Sequence, residues 1–417
     1  MMVQAVRIQK DLEALNEFTA TPGQGTTRLS YSAEAAKARP FIKEIMVKAG
    51  LTVREDALGN IFGRLSTPEI DHKPIVLVGS HYDSVPNGGM FDGPAGIMAG
   101  LEVARLFQDQ GLVPQYPLEI VAMVEEEGTS FNSGLLASRA LCGFLTYEDL
   151  QKLQDQNGLS AAEHITNAGY HPEEVEKLAY PPKALKAFLE LHIEQGPILE
   201  NLKKDVGIVD VIVGISQLQV VIQGKAGHAG TTPMGMRSDA LLSASRVIAT
   251  AEKIAIEAGE YCVATVGRLN VYPNGSNVIP DKVTFTVDIR SKFKDKLDAM
   301  IAAVKASVHA EANSGITVSE HLTLYVEPTE LSTVIVNNFR EQSNRLGILE
   351  EPMVSGAGHD AMIFAKVTDV GLIFVPSKDG ISHHPAEWTD YDEIAKGVEV
   401  LFETVKVLTE AKGKSND

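Results

Sequence analysis

The chain has 417 residues, of which 44% are hydrophobic and 22% charged, a composition typical of folded globular proteins rather than disordered ones. Asp and Glu number 55 against 37 Lys and Arg, and the formal net charge of −18 disfavours nucleic acid and anionic membrane surfaces as partners. Only two cysteines, no apolar run approaching 18 residues and no apolar signal segment predict a cytoplasmic, disulfide-free chain of roughly two to three domains.

Helix and strand patterns alternate in the first half of the sequence. Apolar positions three and four apart predict helices over 3–17, 34–49 and 94–110. Short continuous apolar runs, typical of buried parallel strands, cover 74–79, 118–124 and 188–192. This rhythm favours an α/β fold in which helices flank a mixed, mostly parallel sheet.

The pattern changes near residue 206, where two strands broken around Gly214 fill 206–223. The elements predicted next are a helix over 239–257, strands over 262–271 and 279–290, a helix over 294–313 and a strand over 316–326. This order of strand, helix, strand, strand, helix and strand is typical of a ferredoxin-like α+β unit. The α/β pattern returns after Pro328 with a helix over 331–346, a strand over 371–375 and a helix over 391–409.

These elements predict a large discontinuous domain with a smaller domain inserted into it. The large domain takes residues 1–212 and 328–417, and the inserted ferredoxin-like domain takes 213–327. The change from continuous apolar strands to strands with alternating residues, and back again, marks the two crossings between the domains.

Polar residues able to bind metals follow the first predicted strand. His81 and Asp83 are two positions apart, and a carboxylate at that spacing can fix the tautomer of a ligating imidazole. Asp92 lies eleven residues after His81, beside a glycine, which can adopt backbone conformations that other residues resist. Taken alone, the His-x-Asp motif is more simply a structural pair in a loop.

Further candidates follow the other predicted strands. Three glutamates occupy 125–127, His192 ends the third strand, and Ser382-His-His384 follows the strand at 371–375. Each has a plainer interpretation: a solvated acidic loop or a histidine satisfied within the core. Together they are more specific, because ligands gather outside the carboxyl ends of strands in α/β sheets. Such a set can build two adjacent metal sites bridged by a carboxylate, which activate a water for hydrolysis.

Six segments together resemble the dinuclear-zinc aminopeptidase and carboxypeptidase superfamily. They are GSHYDSV at 79–85, FDGPAG at 91–96, EEEG at 125–128, ELHIEQG at 190–196, GHAGTTPM at 227–234 and SHHPAE at 382–387. Within it, the chain is similar to the amidase branch of N-carbamoyl-L-amino-acid hydrolases, allantoate amidohydrolases and β-ureidopropionases. The resemblance covers nearly the whole chain and implies a large catalytic domain with a smaller lid or dimerisation domain.

The resemblance implies two divalent metal ions per subunit, Zn or else Mn, Co or Ni. The ligands implied for one ion are His81, Asp92 and His192. Those implied for the other are Asp92, Glu127 and His383, with Asp92 bridging and His384 as an alternative to its neighbour.

The resemblance also implies catalytic roles. Glu126 is the implied general base, taking a proton from a metal-bridging water, and Asp83 would orient His81. His228 lies in a glycine-rich segment that is more plainly a β-turn; by resemblance it polarises the scissile carbonyl, in its own subunit or from a partner.

Substrate-binding groups are expected around a strand with alternating residues over 283–290. Arg290 lies on its polar face, where an arginine is usually solvated, but a guanidinium is also well suited to grip a carboxylate. By resemblance, Arg290 binds the substrate carboxylate and Asn277 adds a hydrogen bond. The residues implied to line the same pocket are Gln195, Gly358 and His359, the last as a substrate contact or a support for the metal ligands.

The expected function is metal-dependent hydrolysis of the carbamoyl C–N bond of a small anionic ureido substrate. Family members are homodimers through the small domain, so a homodimer is expected. An aminoacylase or dipeptidase on the same scaffold is the alternative, disfavoured by the spacing in 192–196. A non-catalytic binding protein is a third possibility, disfavoured because the ligand set and Glu126 are all present.

Overall fold

A computed structural model describes residues 3–413 of the chain. Its α-helices are α1 (Ala5–Asn16), α2 (Ala33–Lys48), α3 (Pro94–Asp109), α4 (Leu136–Leu141), α5 (Tyr147–Lys152), α6 (Ala161–Asn167), α7 (Ile198–Leu202), α8 (Ala240–Ala258), α9 (Lys294–Ala310), α10 (Thr333–Leu346), α11 (Asp360–Phe364) and α12 (Tyr391–Leu408). Within the described range, none of these helices has the length and apolar character needed to cross a membrane.

The β-strands include every strand that the sequence predicts. They are β1 (Thr52–Glu55), β2 (Ile61–Leu65), β3 (Ile75–His81), β4 (Leu112–Val113), β5 (Leu118–Met123), β6 (Leu185–Ile193), β7 (Val206–Ile212), β8 (Gly214–Gln223), β9 (Gly227–His228), β10 (Cys262–Tyr272), β11 (Val278–Ile279), β12 (Lys282–Ser291), β13 (Thr317–Val326), β14 (Thr329–Glu330), β15 (Glu350–Ser355), β16 (Val370–Val375) and β17 (Lys412–Gly413). Short 3-10 helices lie at Pro172–Leu178, Met234–Met236 and Lys378–Gly380.

The chain folds into two compact units. Unit 2 consists of Val211–Glu330 and Val354–Gly358, and unit 1 contains the rest of the described chain. The expected crossings after residues 212 and 327 therefore lie two or three residues from those of the structure. Residues 354–358, expected in the large domain, pack with unit 2.

The main sheet of unit 1 is mixed, with strand order β1-β2-β5-β3-β6-β16-β7. Its four central strands, β5, β3, β6 and β16, run parallel, while β1, β2 and β7 pair antiparallel at the flanks. Strands β3, β5 and β16 are buried along their whole lengths, as their continuous apolar runs predict. Helices α3 and α12 pack on the central strands, which confirms the α/β fold class.

Unit 2 contains an antiparallel sheet in the order β10-β12-β8-β13. Helices α8 and α9 pack against it, completing the predicted ferredoxin-like arrangement. Strand β12 alternates as expected, and its four apolar side chains are buried against those helices: Val283, Phe285, Val287 and Ile289. The opposite face carries Asp288 and Arg290, which are half-buried.

Several elements were not predicted. Strands β1 and β2 form an antiparallel pair at the edge of the main sheet, and α4, α5 and α6 each have only six or seven residues. Such lengths give too little periodicity to identify a helix. Two local signals were nevertheless present, because Thr146 with Asp149 and Ser160 with Glu163 form capping boxes that begin α5 and α6.

Candidate dinuclear metal centre

The carboxyl ends of the four central parallel strands bring the predicted metal ligands together in unit 1. His81 is the last residue of β3, His192 lies next to the end of β6, and Glu127 follows β5 by four residues. His383 lies in the loop after β16, and Asp92 directly precedes the glycine at the start of α3. The predicted ligands form two of the three groups of converging donor atoms found among the described residues: His81, Asp92 and His192, and Asp92, Glu127 and His383. The third group is Glu190, His192 and His359.

Asp92 belongs to both groups of predicted ligands because its two oxygens face different histidines. Its Oδ1 lies 3.1 Å from Nε2 of His192 and 3.6 Å from Nε2 of His81. Its Oδ2 lies 3.1 Å from Nε2 of His383, and that nitrogen is 3.5 Å from Oε2 of Glu127. The geometry is that expected of a carboxylate shared between two cation sites.

The donor set fits divalent cations. Ligand atoms placed tetrahedrally at 2.0–2.1 Å from a zinc ion lie about 3.4 Å from one another. The distances between the Asp92 oxygens and the histidine nitrogens are close to this value. Among the described residues, Oε1 of Glu127 is buried and has no hydrogen-bond partner. Such an oxygen is costly to bury unless a cation or donor meets it. Imidazole and carboxylate ligands suit Zn, Mn, Co and Ni alike.

The electrostatics of the cluster also favour cations. Burial raises the pKa of Glu127 to about 7, and the charge of Asp92 adds to this effect. Burial likewise raises the pKa of Glu126 well above its usual value, although His81 opposes it. Burial opposes ionisation of Asp92, but hydrogen bonds with His192, His383 and His81 hold its pKa well below the usual range. Divalent charges would offset the repulsion among these carboxylates.

Asp83 acts on His81 differently from the expectation. Nδ1 of His81 lies 3.1 Å from the backbone carbonyl oxygen of Asp83 but 3.8 Å from its Oδ1, which is beyond hydrogen-bond distance. The Asp83 carboxylate instead accepts the backbone N–H groups of Glu126 and Glu127, at 3.2 and 3.3 Å. The carbonyl therefore orients the imidazole, and the carboxylate fixes the segment that carries the two glutamates.

A glycine allows Asp92 to approach the first histidine. Gly93 has φ of 82°, and a Cβ at this position would lie 2.5 Å from the ring of His81. Any side chain would therefore displace either the ring or the start of α3. The sequence showed this glycine, but its contact with a residue twelve positions earlier depends on the tertiary fold.

The adjacent histidines His383 and His384 have different environments. His383 has φ of 55° and faces Asp92 and Glu127. Nδ1 of His384 accepts the backbone N–H of Ala386, and this exposed ring belongs to neither converging group. The arrangement favours His383 as the ligand.

Two predicted pocket residues of unit 1 contact the metal ligands. Gln195, with φ of 57°, donates from Nε2 to Oδ2 of Asp92 at 2.7 Å. His359 is buried with its ring 4.6 Å from that of His192, edge to face. Burial lowers the pKa of His359 well below its usual value, and the His192 charge adds to this effect. The position of His359 favours a role in supporting the metal ligands over direct contact with the substrate.

Three further polar side chains near the ligands were assigned no role from the sequence. Glu190 is buried in β6 and accepts hydrogen bonds from Oγ of Ser80 at 2.7 Å and the backbone N–H of Ala361 at 3.3 Å. Ser382 and Glu387 lie in the SHHPAE segment around His383. A glutamate inside an apolar strand was a signal for Glu190, because charged residues are seldom fully buried without partners.

Unit 2 brings His228 and Asn277 together. Strand β9 pairs with β11, and the N–H of Ala229 donates to the carbonyl oxygen of Asn277 at 2.9 Å. The N–H of Gly230 donates to Nδ1 of His228 at 3.1 Å. Because Nδ1 accepts this hydrogen bond, Nε2 is the ring nitrogen that can donate a hydrogen bond to a substrate oxygen, and the ring is exposed.

Arg290 of unit 2 is held by a carboxylate and a carbonyl. Its Nε and Nη2 donate to the oxygens of Asp288 at 2.7 and 3.3 Å, and its Nη1 donates to the carbonyl oxygen of Gly356 at 2.6 Å. A guanidinium has five N–H donors, so one remains on each terminal nitrogen. Gly358 lies in the same short segment, 354–358, of this unit.

The single tryptophan offers a probe of the metal centre. Trp388 packs edge-on against Phe91, with ring centroids 5.4 Å apart, and Phe91 directly precedes Asp92. Because both rings adjoin ligand-bearing segments, we expect tryptophan fluorescence to change when a chelator removes the metal and to recover when Zn²⁺ is restored. An emission spectrum that is unaffected by chelation would contradict this placement.

Comparison with known proteins agrees with this geometry. The pattern described as Peptidase family M20/M25/M40 matches residues 77–407. An N-carbamoyl-L-amino-acid amidohydrolase of Paenarthrobacter aurescens is 43% identical over 97% of this chain and 98% of its own. An allantoate amidohydrolase of Escherichia coli is 36% identical over 94% and 95%.

A solved structure has the same fold. The crystal structure of an amidase of the hydantoinase/carbamoylase family from Burkholderia multivorans matches with a TM-score of 0.90 and 36% identity, covering 98% of each chain. These findings confirm the resemblance that the sequence motifs indicated. The chain therefore belongs to Peptidase family M20/M25/M40.

Proposed function

We propose that this protein hydrolyses the carbamoyl C–N bond of a small anionic ureido substrate, such as an N-carbamoyl-L-amino acid or allantoate, with two divalent metal ions. The observation that carries the proposal is the position of Asp92, which belongs to two groups of converging donor atoms. The carboxylate of Glu126 lies beside these groups without belonging to either. The names of the N-carbamoyl-L-amino-acid and allantoate amidohydrolases support the choice of bond.

Glu126 is the proposed general base. Its Oε2 lies 3.8 Å from Nε2 of His81, yet it belongs to neither group of converging donors. Bound divalent ions supply Lewis acidity, polarising the carbonyl and lowering the pKa of the attacking water. The Glu126 carboxylate accepts a proton from that water and passes it to the leaving nitrogen. The amide hydrogen bonds to Asp83 hold its backbone in place.

His228, Asn277 and Arg290 are the proposed substrate-binding groups of unit 2. The Nε2–H of His228 is suited to stabilise the negative charge that develops on the carbonyl oxygen. The two remaining N–H donors of Arg290 are suited to a carboxylate, and Asn277 adds a hydrogen bond.

Replacing Arg290 with Gln tests its assignment to the substrate carboxylate. Because a hydrogen bond to a charged group contributes about 1.5–3 kcal/mol, we expect KM for an N-carbamoyl-L-amino acid to rise roughly 10- to 100-fold. We expect kcat to change less than KM, and steady-state kinetics measure the two constants separately. Arg246→Gln is the control, because Arg246 also holds a carboxylate, Glu311, in unit 2. An unchanged KM in Arg290→Gln would contradict the assignment.

A substrate panel tests the reaction itself. Protein loaded with Zn, Mn, Co or Ni is offered N-carbamoyl-L-amino acids, allantoate, N-acetyl amino acids and dipeptides, and ammonia, acetate and free amino acids are measured. We expect ammonia from the ureido substrates. Release of acetate or of dipeptide products alone would instead establish the aminoacylase or dipeptidase alternative.

We also propose a homodimer formed through unit 2. Strand β10 is an edge strand that pairs only with β12 among the described residues, and Val263, Leu269 and Tyr272 on it are about half exposed. An unpaired apolar edge is a template for pairing with a second copy. We expect Leu269→Lys to shift the mass measured by light scattering from dimer to monomer. Val334→Lys, at an exposed apolar position in unit 1, is the control, and a dimer that survives Leu269→Lys contradicts the proposal.

A further inference from the structure

We infer that Glu387 is a positioning residue that holds Asp92 and the His383 loop in the geometry needed to bind metal. The inference rests on the metal centre of the proposed function but not on the identity of the substrate. Glu387 is only 4% exposed and lies four residues after His383. No role for it followed from the sequence.

One oxygen of Glu387 fixes the backbone at Asp92. Its Oε1 accepts the N–H groups of Phe91 and Asp92, both at 3.1 Å. These two amides precede α3, where the chain turns at Gly93 to bring the Asp92 carboxylate between the histidines. A single acceptor for two successive amides restricts both peptide planes, and hence the direction of the Asp92 side chain.

The other oxygen of Glu387 contacts the loop that carries His383. Oε2 of Glu387 lies 2.9 Å from Oγ of Ser382, which directly precedes His383. The same Oγ lies 3.1 Å from Oδ2 of Asp92. A serine hydroxyl has one proton, so these two carboxylates compete for it. Once a cation takes the lone pair of Asp92, Glu387 remains as the acceptor, and the hydroxyl is not left unpaired.

The chain makes room for this carboxylate at a glycine. A Cβ on Gly89 would lie 2.0 Å from Oε1 and 2.2 Å from Cδ of Glu387, and its three nearest atoms all belong to Glu387. The backbone of Gly89 is outside the left-handed region, so the need for glycine here comes from the carboxylate. An alanine at this position would displace Glu387 from its amides without removing it.

Metal affinity, rather than activity, tests the inference. Metal-free protein is titrated with Zn²⁺ in competition with a chromophoric chelator, and its melting temperature is measured by circular dichroism. Loss of a group that orients metal ligands typically costs 10- to 100-fold in affinity, and we expect this loss for Glu387→Ala. Gly89→Ala should weaken binding in the same direction. Glu387→Gln should lose less, because its amide oxygen still accepts both N–H groups.

Asp155→Asn is the matched control. Asp155 accepts the N–H groups of Asn157 and Leu159, at 2.8 and 2.9 Å, in a turn that holds none of the proposed ligands. We expect its zinc affinity to equal that of the wild type.

Three outcomes would overturn the inference. The first is zinc affinity within threefold of wild type in folded Glu387→Ala and Gly89→Ala. The second is a Glu387→Ala protein that fails to fold while Gly89→Ala and Glu387→Gln bind zinc as the wild type does. The third is an equal loss in Asp155→Asn. A wild type that binds two ions but cleaves no ureido substrate would contradict the proposed reaction while leaving this inference intact.

Discussion

Replacing Glu126 with Gln is expected to lower kcat about 100- to 10,000-fold, the range that a positioned general base contributes. An amide cannot accept the proton of the attacking water, but it has nearly the same volume as the carboxylate. Metal stoichiometry should stay at the wild-type value, because Glu126 lies outside both ligand groups. Steady-state kinetics with N-carbamoyl-L-amino acids, together with metal analysis of the same preparations, checks both statements.

Glu125→Gln is the control for this variant. Burial, with the charge of Asp83 adding, raises the pKa of Glu125 to about 8, so its carboxyl is mostly protonated at pH 7 and resembles an amide. Its Oε1 accepts the N–H of Ser130, which a glutamine oxygen can also do. We expect the control to keep kcat within a few-fold of wild type. Wild-type turnover in Glu126→Gln would show that another group is the base.

Replacing Asp92 with Asn is expected to weaken both proposed cation sites at once. The variant loses the one carboxylate that faces His81 and His192 with one oxygen and His383 with the other. Both ions should bind more weakly, and since metals supply several kcal/mol to such reactions, kcat/KM should fall roughly 1,000-fold or more.

Thermal unfolding provides a readout that is independent of activity. A ligand present at about 100 times its Kd stabilises the folded state by about 2.7 kcal/mol, so Zn²⁺ should raise the Tm of wild type. The same addition should raise the Tm of Asp92→Asn far less, whereas Asp155→Asn should respond as wild type does. A full zinc-dependent increase in Asp92→Asn would contradict a bridging role for this residue.

The sequence was informative about several features that are local. The break at Gly214 separates β7 from β8 as predicted, and the alternation in 283–290 correctly divides β12 into a buried and a polar face. The rule that ligands follow parallel strands brought His81, His192 and His383 to one edge of the sheet without any knowledge of their contacts.

The remaining features depend on contacts between distant residues. Periodicity cannot show that Glu387 accepts the amide of Asp92, because the two lie far apart in the chain and their meeting depends on the packing of β3, β16 and α3. Tertiary structure likewise decides whether the carbonyl or the carboxylate of Asp83 contacts the ring of His81. The sequence placed His359 in the pocket, but its packing against His192, which favours one of its two possible roles, is a tertiary contact.

The order of the ligands along the chain has a consequence for biosynthesis. The first proposed ligand is His81 and the last is His383, and the whole of β8 to β13 is translated between them. During synthesis, His81, Asp92, Glu127 and His192 leave the ribosome long before β16 and the His383 loop exist. The second cation site is therefore complete only when nearly all of the chain has emerged. If a cation binds there, it can do so only late, so it would stabilise a nearly finished fold rather than nucleate folding.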